Sequence, residues 1–297
     1  MDWLVFALLS PAFWGINNVV NKFLVTKRFK GYFSIAIYLN LVDLIFAGAV
    51  FVAVPVSFEF PYALFSMAVG MLPLFAFWFY SKALMVEEVS RITPLFQFIP
   101  IFVVLLSVLF LGELLSPQMY FGIALIVLTS MLISYRKTAN GNLLSSAFKL
   151  MIPFTAILAV YTVLNKYLLG YLDYWSLFFW MMIGSCFGVL CMLAFSRPRK
   201  EFVEAVSQLG KRTFVVSLVG EGTYILGTIC SLIATSLGYV SLVSALSGLQ
   251  HFFVFIYMLL LSLFVPTILK EEISKTVVAL KIVAIALMFV GTWLITV

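Results

Sequence analysis

Ten apolar stretches follow one another along the chain, at about 3–24, 32–54, 61–82, 91–111, 117–135, 149–169, 174–195, 213–236, 239–265 and 275–296. Each is near the roughly 20 residues that a helix needs to cross a hydrocarbon core. Lipid offers the backbone no hydrogen-bond partner, so each stretch must satisfy itself as a helix. Composition agrees. The chain is 64% hydrophobic and 10% charged, with a mean hydropathy of +1.16, whereas soluble domains carry about 45–50% apolar and about 25% charged residues. The expected class is an all-α integral membrane protein with the lipid bilayer as its solvent. Asp2, with no basic residue ahead of it, precedes the first stretch; this is unlike a cleaved signal peptide, so the stretch is expected to be retained. Connections are short, and the one around Arg197–Arg212 is expected to hold a small surface helix. No soluble domain is expected.

The chain repeats itself. Val19–Leu24 reads VVNKFL and Val163–Leu168 reads VLNKYL, so two Asn-Lys pairs stand 144 residues apart in 297. Glu113 precedes the fifth stretch as Glu272 precedes the tenth, and Gln97 in the fourth matches Gln250 in the ninth. Two five-helix units follow, residues 1–137 and 149–297, divided near Thr138–Ser146. Five is odd, so the second unit enters the membrane inverted, the arrangement of many secondary transporters. Charge supports inversion. With ten spans, every basic residue except Lys166 falls on one side of the membrane. In the first unit these residues follow its first and third helices; in the second they follow its second and fourth. Basic loops stay cytoplasmic, so both termini are expected outside, in the cytoplasmic (inner) membrane.

Taken together, these residues resemble the drug/metabolite transporter superfamily, in particular its EamA-type repeats. Trp14-Gly15-x-Asn17 followed by Lys22 is similar to the family's first-helix signature. Ala83-Leu84, Pro100, Leu111–Glu113 and Gly122 are similar to the run from its third to its fifth helix. The second unit departs from that pattern: Leu158-Ala159 replaces Trp-Gly, Phe253 replaces the proline, and Lys270-Glu271-Glu272 replaces Leu-Gly-Glu. The resemblance implies ten helices around a central cavity, with the fifth and tenth at the periphery. It also implies transport of small organic metabolites. Some branches of that family are described with both termini in the cytoplasm; the charge distribution here points the other way.

Polar residues form rows within the apolar stretches. Helix positions three, four and seven apart share a face. Ser10, Trp14, Asn17 and Asn21 make one such row; Glu221, Tyr224, Thr228, Ser231 and Thr235 make another. Ser244, Ser247 and His251 align in the ninth stretch, beside Ser241 and Gln250, and Thr155, Thr162 and Asn165 align in the sixth. Such rows either line a wet shared cavity or bridge neighbouring helices at roughly 0.6 kcal/mol per contact. The cavity is the expectation where several helices carry rows. A charge at mid-bilayer costs at least about 2.5–3.5 kcal/mol, so it marks an interior and a function. Glu221 is the leading proton-titrating or cation-facing candidate, against a structural pair with Lys281. Asp43 is read as one local polar patch with Asn40, either functional or simply bridging neighbouring helices. Lys22 joins these as the end of the signature motif. His251 is a candidate for titration near neutral pH, against a neutral ring hydrogen-bonded to Ser247, which is the expectation. The substrate-lining candidates are Trp14, Asn17, Asn21, Trp78, Gln97, Tyr224, Gln250 and His251; the coupling or charge candidates are Glu221, Asp43 and Lys22. A Trp/Tyr wall beside one carboxylate would suit a cationic or zwitterionic ligand through cation–π contact. Gly184 and Gly188 form a GxxxG expected to pack helices closely.

Other classes lack their motifs. No G-x-x-x-x-G-K-[ST] phosphate loop is present, and a single histidine supplies no multi-histidine zinc site. Cys186, Cys191 and Cys230 match no metal spacing and imply no disulfide framework. No cofactor or metal is expected, and no nucleic-acid partner. The expected function is secondary transport of an amino-acid-like, amine or drug-like metabolite by alternating access, with proton coupling as one mode and no enzymatic activity. A lipid-modifying enzyme would need paired acids or a dyad at one depth, and the sequence displays neither. A channel or scaffold is the third reading. Nothing in the sequence demands a second copy of the chain.

Overall fold

A computed structural model describes residues 2–27, 29, 32–87, 92–134, 146–207, 209–264 and 275–296. The expected boundary near Thr138–Ser146, Glu272 and the side chain of Lys281 lie outside the described residues. Among the described residues every regular element is helical. Eight segments are long and apolar enough to cross a membrane, and two shorter apolar helices, Pro117–Leu132 and Val283–Thr296, accompany them.

The first two stretches form α1 (Asp2–Lys27) and α2 (Tyr32–Ala53). The third is broken into α3 (Tyr62–Gly70) and α4 (Leu72–Val86) at Met71. Pro73 stands in the first turn of α4, where a missing N–H leaves no internal bond unmade. The fourth stretch is irregular at both ends. A 3-10 turn over Thr93–Gln97, begun by Pro94, leads into α5 (Phe98–Leu106), and a π-turn over Ser107–Leu111 closes it. Gly112 ends that turn at φ 66°, a conformation that glycine adopts without a side-chain clash. α6 (Pro117–Ser134), α7 (Ser146–Leu168) and α8 (Tyr174–Ala194) follow. Asp173 caps α8, its Oδ1 accepting from Trp175 N at 2.9 Å and Ser176 N at 3.1 Å. The expected surface helix is α9 (Ser196–Val206), which buries no residue. α10 (Lys211–Leu237) is the longest element. The ninth stretch is broken like the fourth: α11 (Val240–Leu246), a 3-10 turn over Ser247–Leu249, then α12 (Gln250–Phe264). α13 (Lys275–Thr296) closes the chain.

Packing runs between sequence-distant helices. α1 lies along α10 and also meets α12; α7 lies along α4 and also meets α5. α3 packs on α8, α2 on both α8 and α10, and α6 on α13. Glycines set the closest crossings. A Cβ at Gly184 would run into the Met67 carbonyl, and one at Gly70 into the Met181 carbonyl, so α3 and α8 touch backbone to backbone. A Cβ at Gly188 would come within 2.7 Å of Leu74 Cδ1. The Gly184/Gly188 pair is thus a close-packing motif, as its spacing suggests. Gly122 of α6 and Gly291 of α13 do the same for that pair, each Cβ position falling about 3 Å from the other's carbonyl oxygen.

Candidate functional site

α1 presents its polar row directly to α10. Asn17 Nδ2 donates to Gly220 O at 3.0 Å and to Glu221 Oε1 at 3.3 Å, using both amide hydrogens. Its Oδ1 accepts from Asn21 Nδ2 at 2.9 Å. One turn away, the indole Nε1 of Trp14 points at Thr228 Oγ1 at 3.4 Å. Two glycines of α10 make the approach feasible. A Cβ on Gly220 would come within 2.7 Å of Val20 Cγ1, and one on Gly227 within 2.7 Å of Trp14 Cδ1. The row expected to line a wet chamber is therefore closed into a seam: Asn17, Glu221 and Thr228 are 5%, 4% and 6% exposed. On its other flank, α1 meets α12, where a Cβ on Gly15 would lie 3.0 Å from Phe253 Cβ.

Asp43 reaches the same seam from α2. α2 and α10 touch there, since a Cβ on Gly222 would lie 3.3 Å from Phe46 Cζ, and Asp43, Glu221 and Tyr224 are electrostatic neighbours. Three sequence expectations are corrected here. The sequence displays no paired acids at one depth, yet Asp43 and Glu221 are brought near each other on two packed helices far apart in the chain. Asp43 makes no patch with Asn40, which donates to Ala36 O at 2.9 Å and accepts from Ser185 Oγ of α8. His251 Nδ1 lies 3.2 Å from Gln97 Nε2 and 3.3 Å from Gly248 O, while Ser247 Oγ donates to Ser244 O at 2.6 Å. The 3-10 turn before α12 rotates Ser247 away from the histidine and brings in Gln97 from the fourth stretch. Gly248 permits that crossing, since a Cβ there would come within 2.5 Å of Ser130 Oγ.

The candidates thus gather in two groups. Trp14, Asn17, Asn21, Glu221, Tyr224 and Asp43 meet at the seam; Gln97 and His251 meet where the fourth and ninth stretches cross, with Gln250 half-buried next to them. Lys22 follows Asn21 on the exposed side of α1. Trp78 stands apart on α4, 45% exposed, with Lys82 Nζ 3.6 Å above its ring. The chain's own cation therefore occupies the face expected to meet a cationic ligand.

A second polar cluster was not among the candidates. Glu113, 5% exposed, grips the start of α11: Oε1 accepts from Val240 N at 2.8 Å, and Oε2 accepts from Ser241 N at 3.1 Å and from Ser241 Oγ. Ser107 Oγ lies 2.8 Å from Ser241 Oγ. Lys166 Nζ grips the end of α10, donating to Thr235 O at 2.7 Å and Gly238 O at 2.8 Å. A cation on a helix C-terminus and an anion on a helix N-terminus both suit the helix dipoles. Above them opens a cavity of about 1050 Å³, walled by Trp3, Tyr167, Tyr171 and Tyr239 among others. The duplicated Glu113/Glu272 and Asn-Lys pairs were the sequence signal for this cluster. Among the described residues no three His, Cys, Asp or Glu side chains gather as a metal site.

This bundle of long apolar helices, closed around hydrogen-bonded polar rows, is that of a polytopic membrane protein. Residues 1–135 match the model of the EamA-like transporter family, in line with the signature at Trp14–Lys22. A solved crystal structure superposes with a TM-score of 0.75 at 17% identity, covering 100% of this chain and 99% of its own, and so shares the fold. No curated protein matches the chain.

Proposed function

We propose that the chain is a secondary transporter that moves a small organic metabolite, amino-acid-like, amine or drug-like, by alternating access. Its ten stretches act as two inverted five-helix units, residues 1–137 and 149–297, around a path at their junction. The observation that carries this reading is that polar bonds cross from one unit to the other: Asn17 to Glu221, Gln97 to His251, Glu113 to Val240 and Ser241. A substrate with matching polar groups competes for such bonds, whereas a purely apolar junction would give it nothing to displace. Reciprocal packing supports the inverted pair. α1 on α10 and α12 has its counterpart, with the units exchanged, in α7 on α4 and α5; α3 on α8 has its counterpart in α10 on α2. The fifth and tenth stretches, α6 and α13, pack on each other.

Asn17, Asn21, Trp14 and Tyr224 form the half of the binding site on the seam, with Gln97, Gln250 and His251 in the other half. Trp78 and Lys22 belong to its approaches. The basic loops orient both termini outward in the cytoplasmic membrane, which turns the 1050 Å³ cavity to the outside. A monomer suffices, because both units lie in one chain. The Asp43–Glu221 pair is the feature that would favour an enzyme acting on lipids. It is buried under α1, however, with Asp43 and Glu221 6% and 4% exposed, and no nucleophile is placed beside it among the described residues.

The test is uptake and counterflow of a labelled panel of amino acids, amines, nucleosides, sugars and cofactors in proteoliposomes, with and without a pH gradient. Movement of at least one class, saturable and competed by unlabelled solute, is expected. Wild-type vesicles no more permeable than protein-free ones across the whole panel would end the transport reading.

A further inference from the structure

Two carboxyl groups meet in the seam, one from each unit. Asp43 comes from α2 and Glu221 from α10, and each is more than nine-tenths buried. The two helices are in contact beside these residues, a Cβ on Gly222 falling 3.3 Å from Phe46 Cζ. Two bare carboxylates held close together in a low-dielectric setting repel strongly, and a proton between them converts repulsion into a charge-assisted bond. Glu221 receives one N–H, from Asn17 at 3.3 Å. Asp43 Oδ1, fully buried, has no hydrogen-bond partner among the described residues. The surrounding elements can be named in turn. Asn17 and Asn21 approach from α1 and Tyr224 from α10 itself, with Tyr161 of α7 an electrostatic neighbour of Tyr224. From α8, Ser185 is already bonded to Asn40, and Cys186 follows it. The charged residues of α9 (Arg197, Arg199, Lys200, Glu201 and Glu204) sit on a helix that buries nothing. Lys22 lies one position beyond Asn21, on the exposed side of α1.

We propose that Asp43 and Glu221 bind one exchangeable proton between them, and that this proton is the coupling ion of the transporter. The inference rests on the transport reading for its role but not for its site. In the closed seam one carboxyl donates its O–H to the other, leaving one negative charge on the pair. When the seam opens, the proton passes to water, and two hydrated carboxylates remain, one on each unit. Closing again requires a proton to be regained, because two desolvated carboxylates cannot be brought together without it. The pair divides between the units, so the bound proton holds them shut. A carboxylate cluster within one unit would lack that property.

The experiment uses the full chain in lipid nanodiscs and infrared difference spectroscopy of the protonated-carboxyl C=O stretch, titrated with pH in H2O and D2O. Wild type is expected to show the band of one protonated carboxyl that shifts in D2O and disappears as pH rises. The isosteric variants Asp43→Asn and Glu221→Gln, each leaving one carboxyl beside a neutral amide, are expected to lose that titrating band. A wild-type spectrum with no such band, or a band unchanged in both variants, overturns the proposal. So does a band that Na+ displaces at fixed pH, which would assign the pair to a metal cation. Should one variant fail to fold, the other still decides, because each removes one carboxyl of the pair. Wild-type counterflow separates this proposal from the reading it rests on. Solute movement without the band sinks the proton pair alone; the band without movement of any solute sinks the transport reading and leaves the proton site standing.

Discussion

Leucine in place of Gly184 is expected to leave no stable bundle. α3 and α8 cross with their backbones in contact, and even a Cβ at position 184 falls on the Met67 carbonyl. The reciprocal contact at Gly70 fixes the crossing from the other side. Backbone cannot rotate out of the way as a flexible side chain can, so the helices must separate. Separation also disturbs the Leu177, Phe178 and Met181 cluster that fills this region. Overpacking a well-filled interior costs about 1–3 kcal/mol when side chains can adjust; against backbone the cost is expected at or above that upper end. The readout is the yield of monodisperse protein and its melting temperature in detergent. Gly48 of α2 is the matched control, since a Cβ there meets nothing within 4 Å. Gly48→Ala is expected to be neutral or to stabilise by about 0.5–1 kcal/mol, because it improves helix propensity. Equal behaviour of Gly184→Leu and Gly48→Leu would show that the α3–α8 crossing is not where the structure puts it.

Glu113→Ala is expected to cost almost as much. The carboxylate accepts two backbone N–H groups and one hydroxyl, all within buried structure at the start of α11. Alanine leaves both N–H groups without a partner and removes the negative charge beside Lys166. Each buried donor left unsatisfied costs about 1–3 kcal/mol, so about 3–5 kcal/mol is expected in total, in line with breaking a buried charged interaction from one side. Glu113→Gln keeps one carbonyl acceptor and is expected to lie between alanine and wild type. Thermal unfolding followed by tryptophan fluorescence checks the order. An alanine variant that melts with wild type would mean that the α10–α11 turn holds itself without Glu113.

Much of this arrangement was legible in the sequence, for reasons that can be assigned residue by residue. The apolar stretches specified helices because lipid permits little else. The rows Trp14–Asn17–Asn21 and Glu221–Tyr224–Thr228 marked true faces, because helical periodicity fixes which side chains share a side. The row could not reveal what it faces. Gly220 and Gly227 lie seven residues apart beside the polar face of α10, and those two small residues bring α1 into contact where a hydrated space was expected. Asp43 and Asn40 look like one patch in the sequence because they are close along one helix; their neighbours, Glu221 and Ser185, lie on helices distant in the chain. The break at Ser247–Leu249 has no proline to announce it. It arises where Gly248 meets Ser130 and Gln97, a tertiary contact, and it is what separates His251 from Ser247. Glu113 and Lys166 were visible as duplicated residues, but a repeat marks a position without stating whether the residue caps a helix or meets a substrate.

A reversible cross-link across the seam tests the proposed mechanism most directly. A Cβ placed on Gly220 lies 3.3 Å from the Cβ of Val20, a few tenths of an ångström short of the roughly 3.5–4.5 Å found in disulfides, which a small separation of the two helices supplies. With Cys186, Cys191 and Cys230 replaced by alanine, Val20→Cys and Gly220→Cys are expected to join under mild oxidation. The solute that wild type carries should then cease to exchange in proteoliposomes, and reduction should restore the exchange. Unchanged counterflow through fully cross-linked protein would contradict alternating access at the junction of α1 and α10.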